Sequence, residues 1–214
     1  MKTLIFMGDS ITDCGRVTSG GAGYPVGLFG PGYPGLVASK LLGEQPEADW
    51  KIINNGISGN RIVDLYARWK GDCLNLKPDF ISILIGINDT WHEKARQNGV
   101  EVPRYDRFYR MLLDWSLEAN QEMKFLLLEP FALQFGAVAE DWMGEIAERQ
   151  AVVRKIARDY ASSCMFVPLQ SVFDEAVKRA PQEYWLVDGV HPLPAGHQLI
   201  FNAWMDAARK ADIC

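Results

Sequence analysis

Four short polar clusters in this 214-residue chain carry side chains able to do chemistry together: Gly8-Asp9-Ser10, Ser58-Gly59-Asn60, Gly86-Ile87-Asn88-Asp89 and Asp188-Gly189-Val190-His191. A serine hydroxyl is a weak nucleophile and needs a base to take its proton as it attacks. The chain has only three histidines, and His191 has an acid of its own three residues upstream. In a tight turn Asp188 can receive Nδ1–H of His191, fixing the tautomer and stabilising the imidazolium that forms. Pro192 holds that turn out of helix. Negative charge developing on a substrate carbonyl oxygen must then meet preorganised donors. The backbone N–H groups of Ser10 and Gly59 and the side-chain amide of Asn88 are the candidates, one such donor being worth about 2.7–4 kcal/mol of barrier. The chemistry these parts would do jointly is acyl transfer through serine.

Each cluster alone has a plainer explanation. A serine after Gly-Asp at a strand end is commonly a turn or helix cap, Gly59 a turn glycine and Asn88 a capping or αL residue. Asp188 could merely brace the entry of the last helix. Taken together, the plain explanations must account for four independent coincidences, which favours the joint reading. Asp9 and Asp13 then read as braces of the Ser10 turn, not as a carboxylate pair for glycosidic cleavage. Cys14 reads as a small packing residue rather than a thiol nucleophile. His92 is expected on a loop surface, and His197 on the last helix as a capping or surface group.

Apolar runs that would carry these clusters are Thr3–Met7, Trp50–Asn54, Phe80–Ile85, Lys124–Glu129 and Cys164–Val167. A run such as Phe80–Ile85 suits a parallel strand buried on both faces. Between the runs, helical periodicity falls on Tyr33–Leu42, on Ile62 to Trp69, on Arg104–Ala119, from Asp141 to Ala157, on Val172 to Val177 and on Ala195–Lys210. Trp91, His92 and Gly99 are expected in a loop, as are residues 131–140 and the glycine-rich stretch from Thr12 to Pro31. Gly30-Pro31-Gly32-Tyr33-Pro34-Gly35 matches G-x-G-x-x-G, but a dinucleotide site needs a strand directly before it. It reads instead as loop and helix entry. Strands alternating with helices predict an α/β fold with a parallel sheet covered on both faces by right-handed crossovers. With no internal repeat or linker, residues 1–214 are expected to form one domain.

Composition narrows the class. Hydrophobic residues make up 48% and charged residues 23%, ordinary globular usage. A net charge of −5 without a lysine or arginine run argues against a nucleic-acid surface. No stretch of about 18 apolar residues is present to span a membrane. The apolar run Thr3–Met7 is too short for a signal peptide, so a cytoplasmic protein is expected. Four cysteines, with neither a Cys-x-x-Cys nor a metal-like spacing, are expected to be reduced thiols.

The four clusters, in this order, resemble the Ser, Gly, Asn and His blocks of the SGNH hydrolases, also called GDSL esterases. The resemblance spans nearly the whole chain. It implies a flavodoxin-like three-layer α/β/α sandwich with sheet order 2-1-3-4-5, ester hydrolysis through an acyl-serine, and no metal or organic cofactor. Gly56–Asn60 through Arg68-Trp69, and Gly86–Trp91, are further similar to bacterial acetyl-xylooligosaccharide esterases, as is the glycine-rich loop after Cys14. That likeness implies removal of O-acetyl groups from xylo-oligosaccharides or related sugars. A lysophospholipase or thioesterase on the same residues, and a non-catalytic carbohydrate-binding protein, are the alternatives. Trp91 and Trp185, expected in loops beside the catalytic blocks, are candidates to wall an acyl pocket or stack on a sugar. Arg61 and Tyr184 are candidate rim residues. Seven tryptophans are also compatible with a homo-oligomer, should they share an exposed face.

Overall fold

In the computed structural model, which describes residues 1–18 and 28–214, the first apolar run forms β1 (Lys2–Gly8), an inner strand of the sheet. Its side chains alternate: Leu4 and Phe6 enter one core, Ile5 and Met7 the other. β2 (Trp50–Gly56), β3 (Phe80–Leu84), β4 (Lys124–Leu128) and β5 (Cys164–Val167) join it in a parallel sheet of order β2-β1-β3-β4-β5. Gly8 sits opposite Gly56 on one side and Leu84 on the other, so three strands end level. The chain leaves β1 toward β2 and later returns past it to β3. A crevice therefore opens at the carboxyl ends of these strands, where open α/β sheets bind ligands.

Helices cover both faces. α2 (Tyr33–Glu44), α7 (Gln170–Ala176) and α9 (Pro194–Lys210) lay Val37, Leu41, Phe173, Ile200 and Trp204 on the Leu4 face. α3 (Ile62–Asp72) and α5 (Val102–Ala119) lay Leu65, Trp69, Tyr109 and Leu112 on the other. Prolines stand in the first turns of α2, α5 and α9, where a missing N–H costs nothing. α6 (Glu140–Asp159) gives Val153 and Ile156 to the second core and Trp142 and Ile146 to the first. Three further helices lie toward the carboxyl edge: α1 (Ser10–Asp13), α4 (Ile87–Arg96) and α8 (Gln182–Trp185). Among the described residues no helix is long and apolar enough to cross a membrane.

Several expectations are corrected. Trp91 and His92 lie in α4, not in a loop. Its buried residues are Ile87, Asn88, Asp89 and Thr90, so a helix packed through polar side chains shows no apolar stripe. Trp185 closes α8. His197 is buried at 5% exposure instead of lying on the surface. Trp50, Trp69, Trp142, Trp185 and Trp204 are buried and Trp91 and Trp115 half-buried, so no tryptophan-rich exposed face exists. Gly30 to Gly35 does serve as helix entry, Gly32 being the cap of α2. Gly20, Gly21, Gly23 and Gly27 of the glycine-rich stretch lie outside the described residues.

Candidate active site

β1 ends at Gly8, where a side chain would collide with Thr12 Oγ1 and the Leu84 carbonyl. Asp9 then caps α1, its Oδ1 accepting Ile11 N–H at 3.0 Å. This tight exit puts Ser10 at the carboxyl edge, half-buried, on the first turn of α1. Asp9 itself is buried. Burial pushes its carboxyl up to about 7 against the Ile11 hydrogen bond, with the nearby Asp89 charge adding to the rise.

Ser10 Oγ lies 2.9 Å from His191 Nε2, and His191 Nδ1 lies 2.8 Å from Asp188 Oδ2. Partial burial works to raise the Asp188 carboxyl, yet the backbone and ring N–H of His191 and the N–H of Val190 hold it below the usual carboxylate range. An ionised carboxylate only accepts, so Nδ1 carries the proton and Nε2 offers its lone pair to Ser10. Such an alignment can take the hydroxyl proton as the oxygen attacks a carbonyl.

The turn bearing Asp188 and His191 is held on all sides. Asp188 Oδ1 accepts the N–H groups of Val190 and His191 at 3.0 and 2.9 Å. Val187 N–H donates to His191 O at 2.8 Å beside the Leu186–Pro192 bridge. Gly189 has φ +92° and faces the Leu133 and Phe135 carbonyls, a place no side chain fits. Leu133 N–H donates to Gly189 O and Ala137 N–H to Asp188 O, each at 2.9 Å. The loop 131–139 is thus a brace for the Asp188–His191 turn, a role that its composition did not reveal.

The candidate oxyanion donors come from two further loops. Gly59 has φ +82° in a turn closed by Asn60 N–H to Ile57 O, 3.1 Å. Ile57 N–H reaches Gly8 O at 3.0 Å, and Asp13 Oδ2 accepts Ser58 N–H and Oγ–H at 3.2 and 3.0 Å. Asp13 therefore ties the Ser10 helix to the Gly59 turn, and Asp9 caps that helix. Asn88 is 7% exposed and spends one amide hydrogen on Asn60 O at 3.1 Å, which leaves its other for a substrate oxygen. Two more side chains, Arg68 and Asn54, whose types and positions gave no sign of this role, join these loops. Arg68 Nε donates to Asn60 Oδ1 at 2.7 Å and Nη2 to Gly8 O at 3.3 Å. Asn54 Nδ2 donates to Thr12 O and Phe29 O at 2.7 and 2.8 Å.

Around this frame the aromatic candidates divide. The Trp91 ring lies 5.7 Å from the His191 ring and 5.3 Å from Trp142, walling the imidazole. Trp185 is 6% exposed and gives its indole N–H to Ala180 O at 3.2 Å, which makes it a packing residue instead of a substrate contact. Tyr184 is exposed, edge-on to Trp185. Arg61 bonds Asp64 and Asn98. His92 bonds Arg96. His197 accepts Tyr33 N–H at Nδ1, 3.2 Å, so its Nε2–H faces Cys14 Sγ at 3.3 Å; burial pushes it down to about 4. Burial, helped by the Asp13 charge, pushes the Cys14 thiol up, away from thiolate reactivity. Among the described residues, no three His, Cys, Asp or Glu side chains gather as a metal site.

Comparison with known proteins places this geometry among acyl hydrolases. Residues 6–199 match the GDSL-like lipase/acylhydrolase family. An acetylxylan esterase of Geobacillus stearothermophilus is 35% identical over 95% of this chain and 92% of its own. A GDSL-like protein structure from Parabacteroides merdae is 42% identical with TM-score 0.90, covering 97% of this chain and 95% of that one. An acetyl-xylooligosaccharide esterase variant from Geobacillus is 32% identical with TM-score 0.85, covering 96% and 93%. Two other structures of that esterase, with alanine replacing a serine and an aspartate, are described as catalytic mutants.

Proposed function

The chain belongs to the GDSL-like lipase/acylhydrolase family and is a carboxylic ester hydrolase, and on that premise we propose that Ser10, His191 and Asp188 are its catalytic triad. The observation that carries this reading is the unbroken relay Ser10 Oγ–His191–Asp188, with contacts of 2.9 and 2.8 Å. Ser10 Oγ attacks the ester carbonyl while His191 Nε2 takes its proton, and Asp188 steadies the imidazolium. The N–H groups of Ser10 and Gly59 and the free amide hydrogen of Asn88 receive the oxyanion. His191 returns the proton to the leaving alcohol. Water, deprotonated by His191, then cleaves the acyl-serine and frees the acid.

The substrate we infer is a short-chain acyl ester of a sugar, with O-acetylated xylo-oligosaccharides first among them. The names of the Geobacillus relatives support this reading, as does the Trp91 wall beside His191, which leaves an aromatic face where a sugar ring can stack. Free cysteines at 14, 73, 164 and 214 fit a reducing, cytoplasmic setting. The test is hydrolysis of p-nitrophenyl acetate by wild type and Ser10→Ala. The variant is expected to lose essentially all activity, and equal rates in the two proteins would refute the triad. A rate that rises with longer acyl chains would favour a lysophospholipase or thioesterase instead.

A further inference from the structure

We propose that Asp89 is a positioning residue for the oxyanion donors, acting through the backbone of the turn that carries Gly59. Neighbouring residues of α4 hold that turn by separate bonds. Asn88 Nδ2 donates to Asn60 O at 3.1 Å, and the Asp89 carboxyl accepts Ile62 N–H, at 3.1 Å to Oδ1 and 3.3 Å to Oδ2. Ile62 N–H is one of the amides at the start of α3 that have no partner within the helix. Asp89 reaches it from another element. The two bonds clamp the loop on either side of Arg61, whose side chain is directed elsewhere.

Asp89 is itself fixed. It is 0% exposed, and its backbone carbonyl takes Val100 N–H at 3.2 Å. Arg149, 1% exposed, stands behind it. That guanidinium donates to Val100 O and attracts the Asp89 charge, while its Nε has no hydrogen-bond partner among the described residues. The third cluster thus holds one of the three oxyanion donors, Asn88, and, beside it, the group that sets where a second, the Gly59 N–H, stands. Burial drives the Asp89 carboxyl up to about 7 against the pull of Arg149, but either protonation state keeps an oxygen able to accept. An amide in its place keeps the essential contact.

The inference rests on the acyl-serine reading, so its test carries a control for each. kcat and KM for p-nitrophenyl acetate are measured on the full chain as wild type, Asp89→Ala, Asp89→Asn, Ile62→Pro and Ser10→Ala, with thermal midpoints alongside. A displaced donor is expected to lower kcat of Asp89→Ala about 10- to 100-fold, with KM within about threefold and most of kcat restored in Asp89→Asn. Ile62→Pro removes the same N–H at a helix position that tolerates proline, and is expected to share the kcat loss. Wild-type kcat in Asp89→Ala, or equal losses in the Ala and Asn variants, would overturn the positioning role. If Asp89→Ala does not fold, wild-type kcat in Ile62→Pro overturns it equally. An active Ser10→Ala defeats the acyl-serine reading whatever Asp89 does, whereas an inactive one leaves the Asp89 result to stand alone.

Discussion

The hydroxyl of Ser10 and the carboxylate of Asp188 do not touch; His191 joins them, and the three side chains come from two turns far apart in the chain. What separates this arrangement from an ordinary buried hydrogen-bond chain is the donor set opposite it. Removing the Asn88 amide by Asn88→Ala is expected to cost on the order of 100-fold or more in kcat with p-nitrophenyl acetate, and little in KM, because that bond forms fully only with the oxyanion. An unchanged kcat would remove Asn88 from the hole. The candidate catalytic residues were legible because the proposed chemistry demands particular types at turns: a serine after Gly-Asp, an aspartate three before a histidine. The residues that hold them were not. Arg68 and Asn54 act on backbone carbonyls many residues away, and no local pattern advertises such a contact. His197 gave the opposite error, a polar type whose burial is hidden because its partners, Tyr33 N–H and Cys14, lie across the fold.

At the scale of elements, strands were the most legible part, since each buried parallel strand is a short apolar run. Helices with an apolar stripe followed. α4 did not, because its inward face is Asn88, Asp89 and Thr90. The helix that carries a donor is hard to see for the same reason that it is useful. Glycines also divide by element. Gly144 lies on an exposed face inside α6 with open space where a side chain would go, whereas Gly189 occupies φ +92° against two carbonyls. Gly144→Ala is expected to stabilise the protein by about 0.5–1 kcal/mol without altering kcat. Gly189→Ala is expected to lower both the thermal midpoint and kcat, since the strained turn must shift His191 relative to Ser10. Thermal melts and initial rates on the two variants check both outcomes, and a Gly189→Ala protein as active and stable as wild type would show that the loop 131–139 does not brace the turn.

For the whole molecule, the two buried acids Asp9 and Asp89 set a pH dependence of the opposite sign to that of Asp188. Asp9 and Asp89 are both pushed up to about 7, chiefly by burial, with the Asp89 charge adding to the rise at Asp9. Unfolded, an aspartate ionises near about 3.9. Between these values the folded protein binds more protons than the unfolded chain, so stability falls as pH rises, by about 1.4 kcal/mol per pH unit for each acid held protonated. Asp188 has the reverse sign: its lowered value contributes stability above the unfolded pKa that is lost as pH falls through the folded one. The thermal midpoint is therefore expected to decline from about pH 5 to 7, and that of Asp9→Asn to decline less; equal slopes would show that Asp9 does not titrate there. Sheet order was legible only through resemblance to a family, because local patterns do not say which strand lies beside which. The long course of α9 has one further consequence. Starting just after His191, its 17 residues run about 25 Å away from the catalytic edge. Cys214 thereby comes within reach of the Lys2 charge, beside the exposed Met1. Met1 and Cys214 thus both lie on the side remote from the crevice, so attaching the protein to a resin through either residue leaves the mouth of the site open to bulky, polymeric esters.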